Sequence, residues 1–249
     1  MAKKRISPFL LQQRQQQNPT ENQVQTEVQP QGDDTLINLD QTSSSLHTAW
    51  DKYGKMALMA LAGILVLVIG YFAYKQFVVA PKNKTAAEKM FQAQQQFEKD
   101  SFNNVLLGKS GSYAGMLDVV KNYGGTASGN LANYYTGIAS LRNGMFDDAI
   151  KYLEDFSTDS DMIQAMAYGA LGDAYGEKGD FQKSLSYYEK AYKHMDNEFS
   201  TPYYLFKAGM VQEQLGKPAD AKALYERIKK EYSTSSEAGD IEIALARVS

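Results

Sequence analysis

The sequence predicts an all-α chain: a single transmembrane helix followed by a solenoid of helical hairpins. Three observations predict it. A run of 19 residues, Met56 to Tyr74, has no side chain that is charged at neutral pH. A triplet of glycine, glycine and a small residue recurs three times in the C-terminal half. Around each triplet the large apolar and aromatic residues fall at helical intervals.

The 249 residues allow one or two domains, and composition divides them into three unlike parts. Residues 1–49 read as a disordered Gln-rich tail, 50–80 as the transmembrane helix and its flanks, and 81–249 as the repeat domain. The first 55 residues contain ten glutamines, six basic groups and six acidic groups. They have too little apolar surface to offset the entropy of ordering. The basic start, Lys3, Lys4 and Arg5, could touch anionic lipid or a partner; a solvated tail is the simpler reading. A short amphipathic helix around Ile6–Gln17 is a further option.

Met56 to Tyr74 as a helix spans about 28 Å, close to the roughly 30 Å of a hydrocarbon core, so the lipid bilayer is the expected partner of this stretch. Backbone polar groups have no water to pair with in lipid, which leaves a helix as the single-segment solution. Trp50, Tyr53, Tyr71, Phe72 and Tyr74 stand near its ends, where aromatic belts form. A core helix of a soluble domain would be shorter or carry a polar face. A cleaved signal would not begin this far into the chain. Lysines near the ends favour an inside C-terminus, with Lys52 and Lys55 before the run and Lys75, Lys82, Lys84 and Lys89 after it. Lys3, Lys4, Arg5 and Arg14 oppose this from a distance, so charge leaves the topology open.

The repeat signal lies in 130–233. Its three sets are Gly137, Gly144 and Ala149; Gly172, Gly179 and Ser184; and Gly209, Gly216 and Ala221. Within each set the spacing is seven and then five residues, and the sets recur after 35 and 37. Small residues at the outer two positions let antiparallel helices approach. The middle glycine ends the first helix of each pair, where a left-handed backbone suits glycine. Asp147, Asp180 and Pro218–Asp220 mark the starts of the second helices. The clearest copy, 165–196, places Tyr168, Leu171, Gly172 and Tyr175 on one helix face and Ser184, Tyr188 and Ala191 on the next. This pattern and period resemble the tetratricopeptide repeat, whose period is about 34 residues. Ser184 replaces the usual Ala, Asp196 the closing Pro, and Ser140 and Gln212 the usual Tyr in the outer copies. The copies are expected at about 130–160, 165–198 and 202–233. A helix pair, Thr85–Asp100 and Ser112–Tyr123, is expected ahead of them. A capping helix over 236–248 should close the stack's apolar end.

A Gln-rich tail, one membrane helix and a short stack of divergent tetratricopeptide repeats together resemble the membrane-anchored YfgM-like family of bacteria. The segments AEKMFQAQQQFEKDSF and VVKNYGGTASGNLANYY look like a Bacteroidetes-type member. The resemblance implies a translocon-associated periplasmic co-chaperone at the inner membrane, with a cytoplasmic N-terminus and periplasmic repeats. It also implies translocon subunits, periplasmic chaperones or unfolded clients as protein partners. A structural scaffold for another cell-envelope complex is the alternative, and an enzyme with substrate-recruiting repeats a third reading.

The formal charge of −3 argues against nucleic acid, and the lack of cysteine excludes disulfides, thiolate metal sites and cysteine nucleophiles. No catalytic, cofactor or metal residues are expected, and the protein is not expected to be an enzyme. His47 and His194 have no evident partner. Asp155, Asp159 and Asp161 lack the alternation and closing Glu of a calcium loop. In tetratricopeptide stacks the first helix of each pair lines a groove. Carried over position by position, the resemblance implies a partner-binding groove of Tyr134, Ile138, Leu141, Asp173, Tyr203, Phe206 and Met210. The positions of a carboxylate clamp fall on Tyr134, Gly169 and Phe206, then Ile138, Asp173 and Met210, which rejects a clamp. Whether the groove aromatics bind or only pack is open at this level.

Overall fold

The structure is a computed structural model that describes the backbone of residues 39–249 and the side chains from Trp50 onward. Most of the tail, with the basic start, the short helix expected near Ile6–Gln17 and His47's side chain, lies outside these described residues. The first described helix, α1 (Leu39–Tyr74), begins inside the segment expected to be tail. Leu39–Ala49 contains neither Gly nor Pro to stop a helix nucleated over the apolar run, so the helix extends through it despite its Ser and Thr residues.

The helix continues without a coil residue. A π-helical turn, Lys75–Val79, leads into α2 (Ala80–Phe97), and Trp50–Phe97 forms 48 residues of unbroken helix. The turn has a local cause. Pro81 lacks an N–H and its ring would press on the carbonyl of Phe77, which a locally widened turn relieves. Within it the Ala80 N–H reaches back five residues to the Lys75 carbonyl. Among the described residues this is the one helix long and apolar enough to cross a membrane, and none of its most apolar window is buried. Leu67 is 74 % exposed and Val66 68 %, so the stretch is not packed within this chain's own core.

The chain divides into two units after Leu65, and the second, Val66–Ser249, holds all the paired helices. Three hairpins form the repeats: α5 (Ala127–Arg142) with α6 (Phe146–Glu154), α7 (Asp161–Glu177) with α8 (Phe181–His194), and α9 (Ser200–Gln214) with α10 (Pro218–Glu231). The first helix of every pair ends in one geometry. Gly144, Gly179 and Gly216 have φ of 73°, 77° and 70°. Their N–H groups donate to Leu141, Gly176 and Glu213, and the next N–H of each donates to Ser140, Tyr175 and Gln212. This double closure satisfies carbonyls that a helix end otherwise leaves unpaired. Thr126 and Asp180 cap α5 and α8 through their side chains, and Pro218 opens α10.

The first glycine of each triplet allows the close helix approach expected of it, against a partner that the small-residue pattern does not name. Ser184 does face Gly172, donating to its carbonyl at 2.7 Å. The space above each first glycine is filled by a larger residue 16 positions on. A Cβ on Gly137 would lie 2.5 Å from Leu153, one on Gly172 2.6 Å from Tyr188, and one on Gly209 2.3 Å from Tyr225.

Ahead of the repeats, α2 matches the first expected helix, but the second starts late. Residues 108–109 and 113–114 form a two-stranded antiparallel hairpin, preceded by a short helix α3 (Phe102–Leu107) and followed by α4 (Met116–Tyr123). The turn chemistry of Gly108-Lys109-Ser110-Gly111 outweighs helical continuation there. Asn83 docks α2 onto the start of α5: its Oδ1 accepts from the Ser128 N–H at 2.7 Å. The expected single capping helix is also split, into a 3-10 turn (Glu237–Gly239) and α11 (Ile241–Arg247), at the poor helix formers Gly239 and Asp240. Ile241, Ala244 and Val248 still bury against the core that holds Tyr225 and Ile228.

Candidate functional site: a groove across the first helices of the repeats

A groove of about 790 Å³ crosses α5, α7 and α9. Tyr134, Ile138 and Leu141 line it from α5, Asp173 from α7 and Tyr203 from α9. Tyr134 is half-buried, packed on Phe156 at 5.2 Å and edge-on to Tyr135 at 6.0 Å. Tyr203 stays 41 % exposed and meets Tyr204 edge-on at 5.2 Å. Two expected members stand elsewhere. Phe206 turns into the core, its ring 5.6 Å from that of Tyr225. Met210 is exposed but does not line the groove.

A polar chain crosses the groove between the second and third repeats. Asp173 Oδ1 accepts from the Tyr188 hydroxyl at 2.6 Å and pairs with Lys207 Nζ at 3.1 Å. Lys207 also lies over the Tyr203 ring, 5.6 Å from its centre. Burial pulls the Lys207 ammonium down, but Asp173 and Tyr203 together outweigh it and the net shift is upward. Burial raises the Tyr188 phenol, with Asp173 adding to it, and raises those of Tyr204 and Tyr134, with their tyrosine neighbours adding. These groups stay in one protonation state through neutral pH. The chain therefore presents the Asp173–Lys207 pair among aromatic rings.

Several lining residues escaped the position-by-position expectation: Phe97, Met166, Tyr204, Lys207 and Arg142. Tyr204 reaches the groove because Gly169 leaves it room; a Cβ there would lie 2.2 Å from the ring. The signal was present, since a glycine in a helix interior costs stability and implies a close approach. Among the described residues no cluster of His, Cys, Asp or Glu could hold a metal ion. His194 lies edge-on to Tyr168 and 3.4 Å from Asp161, on the wall of the second repeat. Asp161 opens α7, and Asp155 caps the end of α6.

Two family models, each described as a tetratricopeptide repeat, match residues 165–193 and 203–235. Over these two stretches the chain is similar to tetratricopeptide repeats. The matches coincide with the second and third hairpins. The first tetratricopeptide-like hairpin, α5–α6, lies outside both but shares their helix-ending geometry and the 16-residue glycine contact. Among curated proteins there is no match. Tetratricopeptide repeats indicate a protein–protein interaction adaptor, and proteins built from them are typically non-catalytic.

Proposed function

We propose that the protein is a membrane-anchored adaptor that captures segments of partner polypeptides in the α5–α7–α9 groove. Its setting in this reading is the bacterial inner membrane, with the N-terminus cytoplasmic, the repeats periplasmic, and the role that of a translocon-associated co-chaperone. One observation carries the reading. The groove is lined by one helix from each repeat, with Tyr134, Ile138, Leu141, Asp173 and Tyr203 converging on it, in a chain that also has an unburied apolar helix. Aromatic and thioether side chains adapt to varied apolar partners, as a client-binding surface requires. The Asp173–Lys207 pair favours a second reading, a structural scaffold for another cell-envelope complex, because a fixed polar pair selects one partner chemistry.

A photo-crosslinking residue in place of Met166, which lines the groove and is 44 % exposed, separates the two in living cells. Translocon subunits, periplasmic chaperones and many client chains are expected. One invariant set of other envelope proteins would replace the co-chaperone reading by the scaffold. No protein crosslink at all would overturn the adaptor. Protease added to spheroplasts should digest the repeats; a protected C-terminal region would reverse the topology.

A further inference from the structure

Beside the groove, at the N-terminal ends of α7 and α9, is a second hollow of about 510 Å³. Met162, Met166, Met195, Phe199 and Tyr203 line it with Asn197 and Ser200, and its surface is almost wholly apolar. Phe199 is 91 % exposed. The turn that holds it out is tightly made. Asn197 Oδ1 accepts from the N–H groups of Phe199 and Ser200, both at 2.8 Å, and Asn197 Nδ2 donates to Ser200 Oγ at 2.7 Å. The Asn197 N–H donates to Thr201 Oγ1 at 2.9 Å, and that hydroxyl donates to the Met195 carbonyl at 3.0 Å. Thr201 itself is fully buried. The entropy of fixing this aromatic side chain's backbone is lost on folding, so a partner that covers it loses less on binding.

Charge decides what would cover it. Asp159 and Asp161 precede Met162 at the entry to α7, and Glu198 immediately precedes Phe199; all three are exposed. Asp161 faces only His194, and Asp159 and Glu198 enter no ion pair among the described residues. Of the cations near in sequence, Lys193 pairs with Glu189 and Lys207 with Asp173, while Lys190 lies over the Tyr168 and Tyr187 rings and Lys151 over that of Tyr152. An apolar hollow with an acidic surround complements an apolar segment with basic ends.

We propose that this hollow docks an apolar stretch of a partner polypeptide that is flanked by lysine or arginine. It rests on the adaptor reading, since Met166 and Tyr203 line both the hollow and the groove. Phe199 is the anchor, the methionines mould to the apolar side chains, and the acidic surround selects the flanks.

The test uses the full chain in nanodiscs of zwitterionic lipid, with empty nanodiscs as the background. Its probes are two fluorescent peptides with one Leu–Ala core, ending in paired lysines or in paired glutamates. By anisotropy the lysine-ended peptide is expected to bind about tenfold tighter than the other, with the gap closing at high salt. Phe199→Ser is expected to weaken it about tenfold. This side chain is so exposed that the thermal melt should not move. Equal binding of the two peptides, or no change with Phe199→Ser, overturns the proposal. Loss of binding in Tyr134→Ala but not in Phe199→Ser places the peptide in the groove, which overturns this inference and leaves the adaptor standing. Self-association of the chain that Phe199→Ser abolishes and neither peptide competes with makes a second copy the occupant, and also overturns it.

Discussion

A methyl group added at Gly209 has a calculable destination. Its carbon would lie 2.3 Å from Tyr225 Cε1, 2.7 Å from Cζ and 3.0 Å from Cδ1. Carbon atoms in contact sit about 3.5–4.0 Å apart, so ring or helix must retreat by more than about 1 Å. The ring has nowhere to go. Tyr225 is fully buried, Phe206 packs on it, and its hydroxyl donates to Glu213. Overpacking of this kind costs about 1–3 kcal/mol. Pulling the hydroxyl off a carboxylate adds about 1.5–3 kcal/mol. Replacing glycine in a helix interior returns about 1 kcal/mol. A net loss of about 1.5–5 kcal/mol is expected for Gly209→Ala, read by urea unfolding of the full chain in detergent with far-ultraviolet circular dichroism. Gly125→Ala is the control, since nothing lies within 4 Å of its added carbon, and it should stay within about 0.5 kcal/mol of the parent. Combining Gly209→Ala with Tyr225→Leu should cost less than the two single changes summed, because the clash disappears with the ring. If Gly209→Ala is as harmless as Gly125→Ala, or if the double variant is simply additive, close helix approach is not what this glycine provides.

Tyr188, Tyr204 and Tyr225 are buried, and burial raises their phenols above the usual value. The unfolded chain releases these protons near pH 10 and the folded one does not, so the phenols' contribution should be constant below about pH 10, and stability should then fall by up to ~1.4 kcal/mol per pH unit for each phenol. An unfolding midpoint that is flat up to pH 11 would contradict their burial. At the acid end, the Arg247 hydrogen bond holds the Glu213 carboxyl below its usual range. That contribution is present above the unfolded carboxylate value and lost as pH falls through the folded one, so Arg247→Ala should flatten part of the acid limb of a melting-temperature profile. The chain should stay with the membrane pellet after alkaline carbonate, and deletion of 56–74 should release it; recovery of the intact chain in the supernatant would exclude a spanning helix.

The helices were legible because the features that define them are local. The uncharged run, the three helix-ending glycines and the caps at Asp180 and Pro218 each act within a turn or two of the chain. The departures are local too, but they compete at short range. At 112–115 the hairpin takes residues expected to open a helix, and at Gly239 and Asp240 two poor helix formers divide the cap. The contact over each first glycine is not local. Leu153, Tyr188 and Tyr225 lie 16 residues away on the partner helix, and a reading restricted to small residues misses them. Their common spacing is nevertheless in the sequence, and it identifies α5–α6 as the same kind of hairpin as the two matched copies.

The groove was only partly legible because position transfer treats the repeats as translated copies. Counted from the first glycine of each set, the first repeat lines the groove at −3, +1 and +4 with Tyr134, Ile138 and Leu141, and the third at −6, −5 and −2 with Tyr203, Tyr204 and Lys207. The lining has moved back by about one helical turn over two repeats. Stacked repeats rotate relative to one another, so a straight path across them meets each first helix at an earlier residue than the one before. Simple transfer assigned Phe206 and Met210 to the lining, and the rotation moves that role to Tyr203 and Lys207. It thereby brings in the cation that pairs with Asp173, and it extends the apolar path past Tyr203 to the turn that displays Phe199. The same small rotation thus sets both the polar centre of the groove and its continuity with the methionine-lined hollow. A partner long enough to follow this path would meet an ion pair at one point and an acid-flanked apolar surface at the next, which is a sequence requirement on the partner and not merely a hydrophobic one.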